Sequence, residues 1–256
     1  SDWRLAPDPN YTTCDAAKQA ATVSATDLTP LWPGCQGLPE NAIITENPIM
    51  DDPRALRTGD LSRLSMSVRG GGDRYTLFVS GDRDVEQGVF FNNDNNRTSI
   101  RTNFTFAPID KLDLGINVGW QDGRLRLPIQ DESANGLLLS STRGLPGRRA
   151  LVGEGNEGWR TIGPDAANLY RNYQSSERLT LGGNVQYRPF EWFRNSVTLG
   201  LDNTTTQAQV LFLPNEISAA QDPDASLGAN LRRTPTARLL TLTYNGDLLW
   251  QATPDL

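Results

Sequence analysis

Apolar residues along this chain recur with a period of two, which commits it to extended strands whose two faces meet different surroundings. In Lys111–Gln121 the even positions are Leu112, Leu114, Ile116, Val118 and Trp120, while Lys111, Asp113, Gly115, Asn117 and Gly119 hold the odd ones. One face is wholly apolar and the other small or polar. Six more segments repeat the pattern: Ser62–Arg69, Arg74–Ser80, Thr98–Phe106, Arg178–Arg188, Arg194–Asp202 and Arg238–Trp250. In the second of these Phe78 breaks the polar face. The pattern predicts strands over 62–69, 74–82, 97–106, 111–121, 177–188, 194–206 and 237–250.

The connections alternate strictly between short and long. Gly70-Gly71-Gly72-Asp73 reads as a tight turn in which glycine permits positive φ, and Ala107–Asp110 and Pro189–Phe193 are short as well. Asp84–Asn96, Gly123–Ser176 and Ala208–Pro235 are long. A soluble β-sandwich has no reason to gather its long loops at one end. A transmembrane barrel does, because its periplasmic turns are short and its extracellular loops long. The expected fold class is therefore all-β: a partial antiparallel transmembrane β-barrel, with the apolar face toward outer-membrane lipid and the polar face toward a lumen. Arg101, Asn103, Asp113, Asn117, Asn184, Gln186 and Arg188 are then lumen-facing, either holding a plug or solvating the interior. Phe106, Trp120, Tyr187, Phe190, Trp192, Phe193 and Trp250 lie near strand ends, as interfacial girdles do. A hydrophobic share of only 37% suits a barrel, which needs no dry centre.

Topology divides the chain into an extracellular loop region, 1–60, and a partial barrel, 61–256. Cys14 and Cys35 flank a polar, proline-rich stretch in the first part, and the expectation is a disulfide, formed on the oxidising side of the membrane. Closing a loop of that length stabilises by roughly 3 kcal/mol in the chain-entropy model. Seven alternating segments are an odd number, whereas bacterial single-chain barrels close with an even one. The chain thus reads as an internal piece, about seven strands of a larger barrel. It contains no run of about 18 apolar residues that would make a transmembrane helix.

Composition excludes several chemistries. With Lys+Arg 24 against Asp+Glu 30 the net charge is −6, the wrong sign for gripping phosphate backbones, so no nucleic-acid partner is expected. The absence of His removes Ser-His-Asp and Cys-His catalysis and most zinc sites. No catalytic residue, metal ligand or cofactor is assigned. Asp131-Glu132 and the Glu154/Glu157 pair fall in a long loop, where carboxylates read as solvated charge rather than as a glycosidase pair on a rigid scaffold. Asn92–Asn96 reads as an Asx-rich turn in preference to a calcium loop, since the spaced carboxylates are missing. Trp159, Tyr170 and Tyr173 are loop aromatics with two open readings: contact with a sugar or peptide substrate, or folding of the loop onto itself.

Specific residues add a resemblance. Leu56-Arg57-Thr58-Gly59, then Ser65-Met66-Ser67-Val68-Arg69-Gly70-Gly71-Gly72-Asp73-Arg74-Tyr75 and Phe78-Val79-Ser80-Gly81, resemble part of the SusC/RagA-like TonB-dependent outer-membrane transporters. Asn93-Asp94 with Arg97, Ser99 and Arg101 is similar to the continuation of that family's pattern. So are Tyr187-Arg188-Pro189-Phe190-Glu191-Trp192-Phe193 and Thr198–Asp202. The resemblance covers roughly Leu56–Asp202. It implies a barrel of about 22 strands closed around a plug domain of the same protein. It also implies nutrient uptake, of a glycan or peptide fragment, driven by TonB–ExbB–ExbD, with a SusD-like lipoprotein as a further partner. Two rivals remain: a passive porin or adhesin-like barrel, and a soluble secreted carbohydrate-binding β-protein.

Overall fold

In the computed structural model, residues 11–129, 135–151, 157–220 and 222–250 are described. Ten strands occur among them: β1 Thr12–Cys14, β2 Ala42–Ile44, β3 Asp60–Gly72, β4 Tyr75–Gln87, β5 Asp94–Ile109, β6 Leu112–Leu127, β7 Arg171–Phe190, β8 Phe193–Phe212, β9 Ala229–Arg233 and β10 Thr236–Leu248. β1 and β2 pair with each other. The other eight form one antiparallel sheet in the order β10-β8-β7-β6-β5-β4-β3, with β9 paired to the upper part of β8. The fold is all-β, and no helix among the described residues is long and apolar enough to cross a membrane.

Register turns the sequence alternation into rows across the sheet. One apolar row runs Val79, Thr102, Val118, Leu181, Leu201, Leu240, and the next runs Leu77, Phe104, Ile116, Gly183, Leu199, Leu242. Between them, on the opposite face, lie Phe78, Asn103, Asn117, Gly182, Gly200 and Thr241. No second layer covers the apolar rows: Met66 is 71% exposed, Ile116 53% and Leu242 72%. An apolar surface of that continuity is foreign to soluble monomers. On β6 it extends from Leu112 to Trp120, where the facing rows become polar at Asp122, Thr98, Glu177 and Thr205. Nine residues at ~3.3 Å each, tilted by roughly 40°, span about 23 Å, close to the ~25 Å apolar band of outer-membrane barrels.

Every expected strand is present, but most are longer than the alternation indicates. β7 begins at Arg171 rather than 177, and β6 and β8 run on to Leu127 and Phe212, into stretches read as loop. Above the apolar band both faces meet water, so the ladder persists while the period-two signal disappears. β9, inside the segment read as a long loop, is too short to show a period at all. The glycine turn is also corrected. Gly70–Gly72 belong to β3 and none has positive φ; the turn is Asp73-Arg74. These glycines serve close approach instead, since a Cβ on Gly71 would lie 2.6 Å from the Tyr75 carbonyl oxygen. Phe78, the break in the polar face, lies under the Arg69 guanidinium opposite it, 5.6 Å from carbon to ring centroid.

Two features shape the short-turn end. The ladder shifts register between Phe106 and Ile109 and between Tyr187 and Phe190, at Pro108 and Pro189, which have no N–H to give a neighbour. Phe190, Trp192 and Phe193 stack there, with centroids 5.2 and 5.9 Å apart.

The facial assignment is testable in the full-length protein. Ile116→Arg places a charge mid-band and should cost about 2–4 kcal/mol of folding free energy in lipid. Asn117→Arg, one residue away on the polar face, should cost less than about 1 kcal/mol. Urea unfolding in vesicles measures both, and equal costs would contradict the two-faced sheet.

Candidate functional site: a polar sheet face and a loop cap

All seven residues expected to face a lumen lie on the face opposite the apolar rows. Arg101, Asn103 and Asn117 line a groove of about 780 Å³ together with Arg63, Asp84, Arg97 and Arg178. Asp113, Asn184 and Gln186 line a smaller hollow of about 260 Å³ toward the short turns. Asn184 lies across Gly115, where a Cβ would come within 1.9 Å of its Oδ1. Charges on this face pair between strands. Asp84, 3% exposed, accepts from Arg63 Nε at 2.6 Å and also from Arg97. Arg188 donates to Asp113 at 2.7 Å, and Arg178 pairs with Asp202. The Arg101 side chain makes no ion pair or hydrogen bond to any described residue. Where both partners are exposed, as in Arg188–Asp113, such a pair contributes roughly 0–1 kcal/mol and orders the face more than it stabilises it.

The second part of the site is built from the long connections. Residues from 48–56, 128–170 and 213–228 share one apolar core: Ala55, Leu137, Trp159, Ile162, Ala166, Ala167, Tyr170, Ile217 and Ala225, with Phe212 and Phe90 packed against it. Burying an aromatic side chain of 150–250 Å² at ~25 cal/mol/Å² is worth roughly 4–6 kcal/mol, far above any surface ion pair. This core therefore fuses the loops into one cap. Polar bonds tie the loops crosswise. Asn92 Nδ2 donates to the Ala167 carbonyl (3.1 Å), Asn168 Nδ2 to that of Arg54 (3.1 Å), and Trp159 Nε1 to Asp52 (3.4 Å). Ser140 Oγ donates to the Ile162 carbonyl at 2.9 Å. Asp222 gathers four donors from four residues: the Tyr170 hydroxyl, Asn135 Nδ2 (2.5 Å), and the backbone N–H groups of Asp224 and Ala225 (both 3.1 Å), capping the short helix 223–226.

The lobe 11–47 is braced by a disulfide between Cys14 and Cys35, both fully buried. It is seated on the 145–149 segment through Gly34 N to the Gly147 carbonyl (3.1 Å), Arg149 N to the Leu31 carbonyl (2.9 Å) and Gly147 N to Glu46 (3.1 Å). Gly147 needs its φ of +73°, and a Cβ there would lie 2.3 Å from Ile44 Cδ1.

The loop aromatics resolve against the substrate reading for two of the three. Trp159 is 1% and Tyr170 2% exposed, because they are the cap's core. Tyr173 lies on β7, its ring under the Arg124 guanidinium at 4.2 Å. Asn92 likewise turns inward, and Asp94–Asn96 already belong to β5. Asp131, Glu132 and Glu154 lie outside the described residues. The residues that cement the cap, Asp222 above all, escape a search for catalytic pairs, although Asp222-Pro223 carries a readable helix-start signal. No described cluster of His, Cys, Asp or Glu could hold a metal ion.

Charge in the cap follows its hydrogen bonds. Arg54 grips Asp52 through Nε (2.9 Å) and Nη2 (2.7 Å) and holds that carboxyl below its ordinary value. Arg171 does the same to Glu216, helped by the Leu213 N–H. Burial, then the bond to Asp222, pushes the Tyr170 hydroxyl well up.

No family model matches the chain, and no curated protein does. Solved structures do. The chain is similar to the RagAB peptide transporter, with a TM-score of 0.60 at 15% identity over 76% of this chain and 23% of that one. It is similar also to the RagAB peptide importer in its "closed-closed" state (0.55, 17% identity, 75% and 22%) and its "open-open" state (0.55, 16%, 74% and 22%). The likeness is one of fold, loosely in line with the SusC/RagA-like resemblance, and this chain spans under a quarter of those structures' length.

Two outcomes follow from the cap. Tyr170→Phe removes one donor from Asp222 and should lower local cap stability by about 1–2 kcal/mol, read as faster amide exchange over 164–170 and 222–228 with the strands unchanged. The pH response has a defined sign. Asp52 and Glu216 have lowered folded values, so their contribution is present above the ordinary carboxylate range and lost as pH falls through the lowered values. Tyr170 is raised, so its contribution is lost as pH climbs past the ordinary tyrosine value. Cap protection, the observed exchange corrected for the intrinsic base-catalysed amide rate at each pH, should therefore be greatest between about pH 4 and pH 10 and fall on both sides.

Proposed function

We propose that this chain is part of the wall and outer loops of a TonB-dependent transporter of the SusC/RagA type in a bacterial outer membrane. The observation that carries the reading is the sheet itself: an uncovered apolar band on one face, a polar, ion-paired face behind it, two-residue turns at one end and a folded cap at the other. The fold likeness to the RagAB structures supports it.

On this reading the apolar rows meet lipid, and the polar face lines a lumen filled by the plug domain of the same full-length protein. The whole imports a nutrient, such as a glycan or peptide fragment, using energy delivered by TonB–ExbB–ExbD. A SusD-like lipoprotein associates with the outer side. The chain catalyses no reaction; its part is to hold lipid off the lumen and to shape the outer entrance.

Disrupting the gene should abolish growth on the imported nutrient, and disrupting TonB should abolish it equally. A TonB-independent uptake, or a large steady conductance of the purified full-length protein in planar bilayers, would contradict the active transporter and favour a passive porin.

A further inference from the structure

The apolar face changes character abruptly at its outer end. Next to the row of Trp120 lies the polar row of Asp122 and Glu177, and beyond it two rows bring arginines to the same face. The outermost runs Asp94, Arg126, Tyr173, Gln209, Arg232, in direct register across β5, β6, β7, β8 and β9. Arg124 stands between this row and Asp122, exposed and without an ion pair to any described residue. Its guanidinium carbon lies 4.2 Å over the Tyr173 ring. Arg126, 5.7 Å from the same ring, turns into the cap instead, its Nη2 donating to the Asn168 and Tyr170 carbonyls at 3.1 and 3.4 Å. Arg232 is exposed and rests on Gln207 Oε1 at 2.6 Å. Stacking on an aromatic fixes the plane of a guanidinium and leaves its N–H edge free for a planar or tetrahedral anion.

Arg124 and Arg232 are exposed on this face, away from the groove and immediately beyond the band assigned to hydrocarbon. We propose that they seat the headgroup of a phosphorylated glycolipid in the outer leaflet, with one phosphate on Arg124 and another on Arg232. Arg124 and Arg232 lie three strand spacings and two residues of offset apart, roughly 16 Å between backbones at ~4.8 Å per strand and ~3.4 Å per residue, a span their long side chains can narrow onto a disaccharide phosphorylated at both ends. Asp122 and Glu177, one row nearer the band, accept hydroxyl and amide hydrogens of the sugars, which a phosphate monoanion alone does not offer. The acyl chains continue down the apolar rows. The inference rests on the membrane-wall reading and adds a specific lipid to it.

The test uses the full-length protein, extracted from outer membranes and titrated with bisphosphorylated lipid A, its dephosphorylated form and inorganic phosphate, with binding followed by native mass spectrometry. The wild type should bind the bisphosphorylated lipid at least tenfold more tightly than the dephosphorylated one. Arg124→Gln/Arg232→Gln should erase that preference. Arg124→Lys, which keeps the charge and loses the flat stack, should weaken it about threefold and serves where the double variant does not fold. Equal binding of the two lipids by the wild type, an unchanged preference in the variants, or displacement of the lipid by stoichiometric inorganic phosphate would overturn the proposal. A wild type that is absent from the outer membrane would sink the wall reading with it. A properly assembled barrel with no lipid preference would sink this inference alone.

Discussion

A backbone in hydrocarbon has no water to bond, so each N–H and C=O within the band must find its partner on a neighbouring strand. On the membrane-wall reading proposed above, everything else in this sheet is subordinate to that requirement. The ladders from β3 through β10 are continuous from Leu114 to Trp120, and the two register shifts fall at the inner margin, at Pro108 beside Leu112 and at Pro189 just past Tyr187. Once register is fixed, so is the side of every residue. A slip of one position would turn Asn103, Asn117 and Arg101 to the apolar side and bring Phe104 and Ile116 to the polar one. The two faces differ enough in polarity that such a slip is costly at many positions together.

That coupling explains what the sequence reveals. Within the band each residue has only one of two environments, and the choice alternates, so Leu112 to Trp120 can be read without any structure. The same coupling explains where legibility stops. From Gln121 to Leu127 and from Arg171 to Ser176 the strands stand clear of the band, and arginine, serine and leucine are tolerated on either side. Propensity alone does not separate such a ribbon from a loop. The glycines at 70–72 mislead for a related reason: in a chain met as letters, glycine signals a turn, whereas here it lets the Tyr75 strand approach closely.

The cap obeys different rules, and its near-invisibility in the sequence follows from them. Its core takes Ala55, Trp159, Tyr170 and Ile217 from three connections far apart in the chain, with no period to announce any of them. Trp159 and Tyr170 read as surface aromatics only because loops read as surface. Three loops packed together create an interior of their own, and the largest side chains enter it. Only the disulfide and the Asp222-Pro223 helix start left local marks, since each depends on residue identity rather than on distant partners.

Sheet and cap meet at the strand tips, and the join decides how the cap can move. Tyr170 immediately precedes β7 and Phe212 ends β8; their rings meet edge to face at 5.0 Å. The two longest strands thus deliver core residues directly into the cap, with no linker between. A cap attached this way cannot swing on a hinge at that point without breaking the ladder or its own core. Freedom is left to the more peripheral seat, where the 11–47 lobe meets Gly147 through a few backbone and carboxylate contacts. Those contacts exclude little apolar surface compared with the burial of Trp159 and Tyr170. Any displacement of the cap that preserves the sheet should therefore begin where the disulfide-braced lobe rests on the 145–149 segment.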